Sequence, residues 1–216
     1  MLQEGVLEGR RVFGNITKYV KMSASSNFGN MLSVLGASIF LPFLPMTAIQ
    51  VLTNNLLYDF SQTTIPTDNV DEDYLAVPRK WDIDNIFKFM LCIGPISSIF
   101  DYVTFFVMIA LFNVWTNPSL FQTGWFTESL LTQTLIIHII RTAKIPFVQS
   151  RASAALIATT IIICAVGIAL PHTWFGEKLG FTTLPAGYWP ILAAMLLSYA
   201  ALTHVVKSWF IRRWGM

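Results

Sequence analysis

Two stretches of this chain, 23–30 and 53–62, set amides, hydroxyls and one carboxylate among apolar residues. In each stretch the polar residues repeat at helical spacing. Asn27 and Asn30 are three apart, and Asn55 and Asp59 are four apart, so each pair shares one helix face. Both pairs lie at similar distances from the prolines Pro42 and Pro45 that separate the two stretches. At 1.5 Å per residue all four side chains fall roughly 15–23 Å from that turn, so an antiparallel hairpin would gather them. One carboxylate among neutral oxygen donors is the ligand chemistry of a hard cation, Mg²⁺ or Ca²⁺, rather than zinc or copper. The low carboxylate count leans toward Mg²⁺, which keeps several of its waters. The same residues could instead bond helix to helix, and their chemistry alone leaves both readings open.

Three further polar residues sit deep in apolar runs. Asp101 follows the run Gly94-Pro95-Ile96-Ser97-Ser98-Ile99-Phe100, in which Pro95 should kink a helix and free a carbonyl for Ser97 or Ser98. Glu128 and Gln133 are five apart in the next apolar stretch. These three are candidates for an ion pathway, with packing hydrogen bonds as the alternative. His138 has no Cys, His or carboxylate nearby in sequence and reads as a bundle histidine bonded within the protein. The loop 66–86 carries Asp68, Asn69, Asp71, Glu72 and Asp73 but lacks the glycine and terminal glutamate of an EF-hand, so it reads as a solvated acidic loop.

Elements that hold such groups must themselves live in lipid. The 216 residues are 54% hydrophobic and 12% charged, and their mean hydropathy is +0.58. That composition excludes an ordinary water-soluble domain, and a net charge of +2 excludes a nucleic-acid partner. Cys92 and Cys164 both lie in apolar runs, where a thiol acts as a small hydrophobe. The first 21 residues mix acidic and basic side chains without an apolar core, unlike a cleavable signal peptide.

A bilayer about 30 Å thick requires roughly 20 apolar residues per helix. That ruler predicts an all-α polytopic bundle of six transmembrane helices near 22–41, 46–65, 86–112, 121–140, 152–171 and 188–209. A cytoplasmic stalk over 1–21 leads into it and a cytoplasmic tail over 210–216 leaves it. Every Lys and Arg except Lys178 falls on one side of this arrangement, which places both termini in the cytoplasm. The seven tryptophans cluster at the two expected boundaries.

The ordered runs add a resemblance. Glu4-Gly5-Val6-Leu7-Glu8-Gly9-Arg10-Arg11 through Tyr19, followed by Ser25-Ser26-Asn27-Phe28-Gly29-Asn30, resembles the start of the fifth membrane helix of P-type ATPases. Thr53-Asn54-Asn55-Leu56-Leu57-Tyr58-Asp59-Phe60-Ser61-Gln62 and Ile65-Pro66-Thr67-Asp68-Asn69-Val70-Asp71 are similar to the sixth helix and following loop of the bacterial magnesium-importing branch. The run ending at Asp101, then Phe121-Gln122-Thr123-Gly124-Trp125-Phe126 and Arg141-Thr142, continues the likeness over nearly the whole chain.

The resemblance implies a metal site at Asn27, Asn30, Asn55 and Asp59, with Mg²⁺ as transported ion and Gln133 as a further contributor. Asn30 stands where calcium pumps tend to carry an acidic residue, which weakens a calcium assignment. The Asp-Lys-Thr-Gly phosphorylation motif of the family does not occur in these 216 residues. The resemblance therefore implies a C-terminal membrane portion that works with separate actuator, nucleotide-binding and phosphorylation domains and four further helices. ATP would be used only in the complete parent, in the bacterial inner membrane. A non-enzymatic assembly module or channel, and the membrane half of a Ca²⁺ or H⁺ pump, are the competing expectations.

Overall fold

The computed structural model describes residues 2–215, and among them all regular structure is helical apart from one isolated bridge between Pro146 and Ser150. The long helices are α1 (Leu2–Phe40), α2 (Ala48–Gln62), α4 (Ile83–Phe112), α5 (Pro118–Ile140), α6 (Ala154–Ala169) and α8 (Tyr188–Trp214). Two short helices, α3 (Glu72–Ala76) and α7 (Trp174–Lys178), lie in the connections. Among the described residues, three segments are long and apolar enough to cross a membrane: Ile83–Phe112, Ala154–His172 and Tyr188–Trp214. Polar side chains lower the hydropathy of α1 and α5, and α2 is only 15 residues long.

Local chemistry sets the boundaries. α1 runs unbroken through the stretch expected to join stalk and span, since no proline interrupts it before Pro42. The two prolines then hold an irregular connection over 41–47, longer than the immediate turn their spacing suggests. α2 starts where Gln50 Oε1 accepts the Thr47 backbone N–H at 2.9 Å. Asp82, Asn117 and Ser153 cap α4, α5 and α6 by accepting the backbone N–H groups of Asn85, Leu120 and Leu156. α4 ends at Asn113, which takes the left-handed conformation at φ 48°.

α5 occupies the centre, touching α1, α2, α4, α6 and α8. It is buried from Phe121 to Ile140 except at Leu135, although nine of those 20 residues are polar. The most extensive pairing is α1 with α4. Glycine makes it close: a Cβ on Gly29 would lie 2.7 Å from the Gly94 carbonyl oxygen, and one on Gly94 would lie 3.0 Å from the Ser25 carbonyl oxygen. Pro95 sits inside α4, and Ser97 Oγ donates to the Gly94 carbonyl at 2.9 Å. Ser98 Oγ donates across the helix pair to the Gly29 carbonyl at 2.8 Å.

Candidate functional site

Two side-chain contacts fix how α1 lies against α2. Ser23 Oγ donates to Gln62 Oε1 at 3.1 Å, and the Ser26 and Tyr58 hydroxyls meet at 2.9 Å. In that antiparallel register Asn55 is level with Asn30, and Asp59 is level with Ser26, next to Asn27. The four sequence-predicted residues therefore share neighbouring layers, but not one interior. Asn30 is half-buried, whereas Asn27, Asn55 and Asp59 are exposed.

Each exposed residue follows an inward one by 100° of helix: Asn27 follows Ser26, Asn55 follows Asn54, and Asp59 follows Tyr58. All three are therefore directed out of the packed interior. Asp59 also lines an open cleft of about 340 Å³ with Asn15, Tyr19, Gln62 and Pro66.

Behind the α1–α2 seam lies a buried amide cluster that includes a residue sequence reasoning missed. Gln133 Nε2 donates to Asn30 Oδ1 at 3.2 Å and to Ser129 Oγ at 2.6 Å, and Asn54 Nδ2 donates to the same Ser129 oxygen at 3.3 Å. With both amino groups turned onto Ser129, Asn54 Oδ1 and Gln133 Oε1 are left buried without a donor. A buried acceptor without a donor is costly unless something positive faces it. Carbonyl oxygens in this state are suited to a hard cation. The signal for Asn54 was present in the polar series Gln50, Asn54, Tyr58, Gln62 at intervals of four, all of which the fold buries.

The three candidate pathway residues are all interior. Asp101 Oδ2 accepts from Ser33 Oγ at 2.5 Å and Oδ1 accepts from Trp125 Nε1 at 2.7 Å, joining α1, α4 and α5. Glu128 is 0% exposed, neither of its oxygens has a donor, and its carboxyl meets that of Asp101. His138 Nε2 bonds the Thr160 hydroxyl at 2.8 Å, in keeping with a histidine satisfied within the bundle.

The acidic loop is solvated at Asn69, Glu72 and Asp73, as its composition suggested, but not at Asp68 and only partly at Asp71. Asp68 is buried, accepting from Arg141 Nε at 2.7 Å, Lys18 Nζ at 3.0 Å and the Ser153 backbone N–H at 3.0 Å. Burial alone would raise the Asp68 carboxyl's pKa, but the Arg141 hydrogen bond and the nearby Lys18 charge outweigh it and bring it below the ordinary value. Asp71 is likewise lowered: burial opposes ionisation, and hydrogen bonds from Ser150 and Thr142 overcome it. Asn15 Nδ2 donates to the Pro66 and Asp68 carbonyls. The loop therefore straps the N-terminal part of α1 to the connection after α5.

Comparison with known proteins matches residues 43–209 to the family described as "Cation transporting ATPase, C-terminus". The whole chain is similar to "Magnesium-transporting ATPase, P-type 1" of Salmonella typhimurium, at 52% identity over 217 residues. It is also similar to the protein of the same description in Escherichia coli, at 51% identity over 217 residues. In both cases all of this chain aligns with 24% of the relative, so it spans about a quarter of their length.

Proposed function

The chain belongs to the cation-transporting ATPase C-terminus family, and from that premise we propose that it supplies the C-terminal membrane helices, and part of the ion site, of an Mg²⁺-importing P-type pump. The observation that carries this reading is the pair of donorless carbonyl oxygens, Asn54 Oδ1 and Gln133 Oε1, held inside the α1, α2 and α5 junction. Ser129 anchors both amino groups and so aims both carbonyls away from itself. Asn30 completes the inner set. Asn27, Asn55 and Asp59 face outward at the same depth, where a helix from the rest of the pump would close the seam.

In this reading the substrate is Mg²⁺, as the relatives' descriptions state for those proteins. Amide carbonyls with one carboxylate suit it because the ion exchanges only part of its water shell. The chain crosses the inner membrane six times with both termini cytoplasmic, supported by the one-sided Lys and Arg distribution. The polar helices α1, α2 and α5 are then the ion-handling spans, and α4, α6 and α8 the more lipid-like ones. ATP hydrolysis belongs to the actuator, nucleotide-binding and phosphorylation domains of the parent. The strap through Asp68 and Arg141 links α1, the helix continuous with the stalk, to the end of α5.

Mg²⁺ uptake by a transport-deficient bacterium expressing the full-length protein tests this. Asn54→Leu and Gln133→Leu should each weaken apparent Mg²⁺ affinity about tenfold or more, a cost of ~1.4 kcal/mol per tenfold. Asp59→Ala should abolish uptake. Wild-type transport by Asn54→Leu and Gln133→Leu at equal expression would overturn the assignment.

A further inference from the structure

Asp101 and Glu128 are opposed inside the bundle in a way the amide cluster does not require. Asp101 already has two donors, Ser33 Oγ and Trp125 Nε1, whereas Glu128 has none on either oxygen. Ionised carboxylates only accept, so their contact becomes a bond only if one carries a proton. Two buried carboxylates at such range do not both stay ionised. The carboxyl without donors is the one that gains by holding the proton, because as an acid it can donate to Asp101.

Ser33 from α1 and Trp125 on α5 bond Asp101, Thr132 stands beside Glu128 and gives its hydroxyl to the Glu128 backbone carbonyl, and the nearby Tyr102 and Tyr188 spend their hydroxyls on the Leu32 and Gly124 carbonyls. Among the described residues no Lys, Arg or His forms an ion pair with either carboxyl. A divalent ion suits the pair poorly, because it calls for six or more oxygen ligands whereas the hydrogens of Ser33 and Trp125 already point at this site. A proton supplies the single missing donor.

We propose that Asp101 and Glu128 form a proton-binding site in which one proton, carried by Glu128 and donated to Asp101, joins α5 to α4 and leaves for water when a divalent cation enters the neighbouring amide cluster. The exchange rests on the cation reading above; the proton site itself does not. The step is Glu128 carboxylic acid giving its carboxylate and one H⁺. Coupling follows from geometry. Ser33, which holds Asp101, is three residues from Asn30 on α1, a rise of about 5 Å. A divalent charge that close in a poorly screened interior favours the ionised pair, and by reciprocity the proton disfavours the cation.

Infrared difference spectroscopy on the full-length protein, with and without Mg²⁺, tests the site. Proton release into weakly buffered medium is followed with an indicator dye, and calorimetry confirms Mg²⁺ binding. Wild type should show a carboxylic-acid C=O band that disappears on Mg²⁺ addition, with about one proton released per ion bound. Glu128→Gln, whose amide can donate to Asp101 as the acid does, should lack both band and release. Asp101→Asn removes the like charge and changes the acid's hydrogen-bond partner while Glu128 stays buried, so the band should persist without Mg²⁺ but shift in frequency. An acid band unchanged by Glu128→Gln and by Asp101→Asn overturns the proton site. Mg²⁺ binding with the band intact and no proton released overturns the exchange. If wild type binds no Mg²⁺, the cation reading and the exchange both fall, and the band alone decides the proton site.

Discussion

Arg141 Nε donates to Asp68 Oδ2 at 2.7 Å with both side chains almost wholly buried, 2% and 1% exposed. This ion pair closes the loop after α2 onto the end of α5. Lys18 adds a second cation from α1, its own pKa lowered by burial despite the attraction of Asp68. A buried pair of this kind is costly to break from one side, because the remaining charge stays in place.

Asp68→Asn in the full-length protein should therefore lower stability by about 3–5 kcal/mol, read as a drop in thermal unfolding temperature in detergent. Acid should distinguish the variant from wild type. The Asp68 carboxyl is held below its ordinary value of 3.8, so its contribution is present above that value and lost as pH falls through the lowered one. Wild type should lose this increment on acidification, and Asp68→Asn should have none left to lose.

Lys207 Nζ donates to the carbonyls of Ile139 and Thr142 at 3.0 Å and of Lys144 at 3.3 Å, satisfying the C-terminal end of α5 from α8. Lys207→Met keeps the stem but strands those carbonyls. A loss of about 2–3 kcal/mol is expected, together with faster proteolysis between 141 and 151. Equal protease resistance in wild type and variant would show that α5 ends without this cap.

Gly29→Ala should disrupt the α1–α4 contact, since its methyl would meet Ser97 Oγ and the Gly94 carbonyl. The backbone oxygen cannot move aside, so a destabilisation of about 1–3 kcal/mol is expected. Gly187→Ala is the control, because nothing lies within 4 Å of the added carbon. Similar unfolding temperatures for the two variants would refute tight packing at Gly29.

Lys21 should titrate near pH 8. Burial brings its pKa down from 10.5 to about 8, a fall that Asp82 opposes and Arg79 assists. Its Nζ donates to Asn85 Oδ1 at 2.8 Å. Between about pH 8 and 10.5 the unfolded chain holds more protons at this site than the folded one, so this group's contribution to stability rises with pH across that window. Reductive methylation followed by mass spectrometry should show half-maximal Lys21 reactivity near pH 8. A midpoint above pH 10 would contradict the buried environment.

The sequence disclosed the helices wherever apolar length was the governing signal. The span expected over 86–112 is seated in Ile83–Phe112, and that over 188–209 in Tyr188–Trp214. Phase was harder to read. Asn54 and Asn55 are chemically identical neighbours, and the choice of which faces inward depends on where α1 and α5 pack, through Tyr58, Gln62 and Ser129. The burial of Asp68 within the acidic loop was hidden for a related reason. Asp68 meets Arg141 across 73 residues and Ser153 across 85, and no local pattern of charge reports a partner so distant. The donorless oxygens at Asn54, Gln133 and Glu128 were also out of reach, because they depend on which neighbours turn toward them.

The polar character of α5 has a consequence for biosynthesis. A helix carrying Gln122, Thr127, Glu128, Ser129, Thr132 and Gln133 partitions poorly into hydrocarbon by itself. In the proposed arrangement it cannot be released from the insertion machinery as a lone span. It must be handed over alongside α4, whose Asp101 accepts from its Trp125, and wait for α6 and α8 to shield its remaining sides. The segment most central to the finished assembly is thus the one most dependent on its neighbours during synthesis.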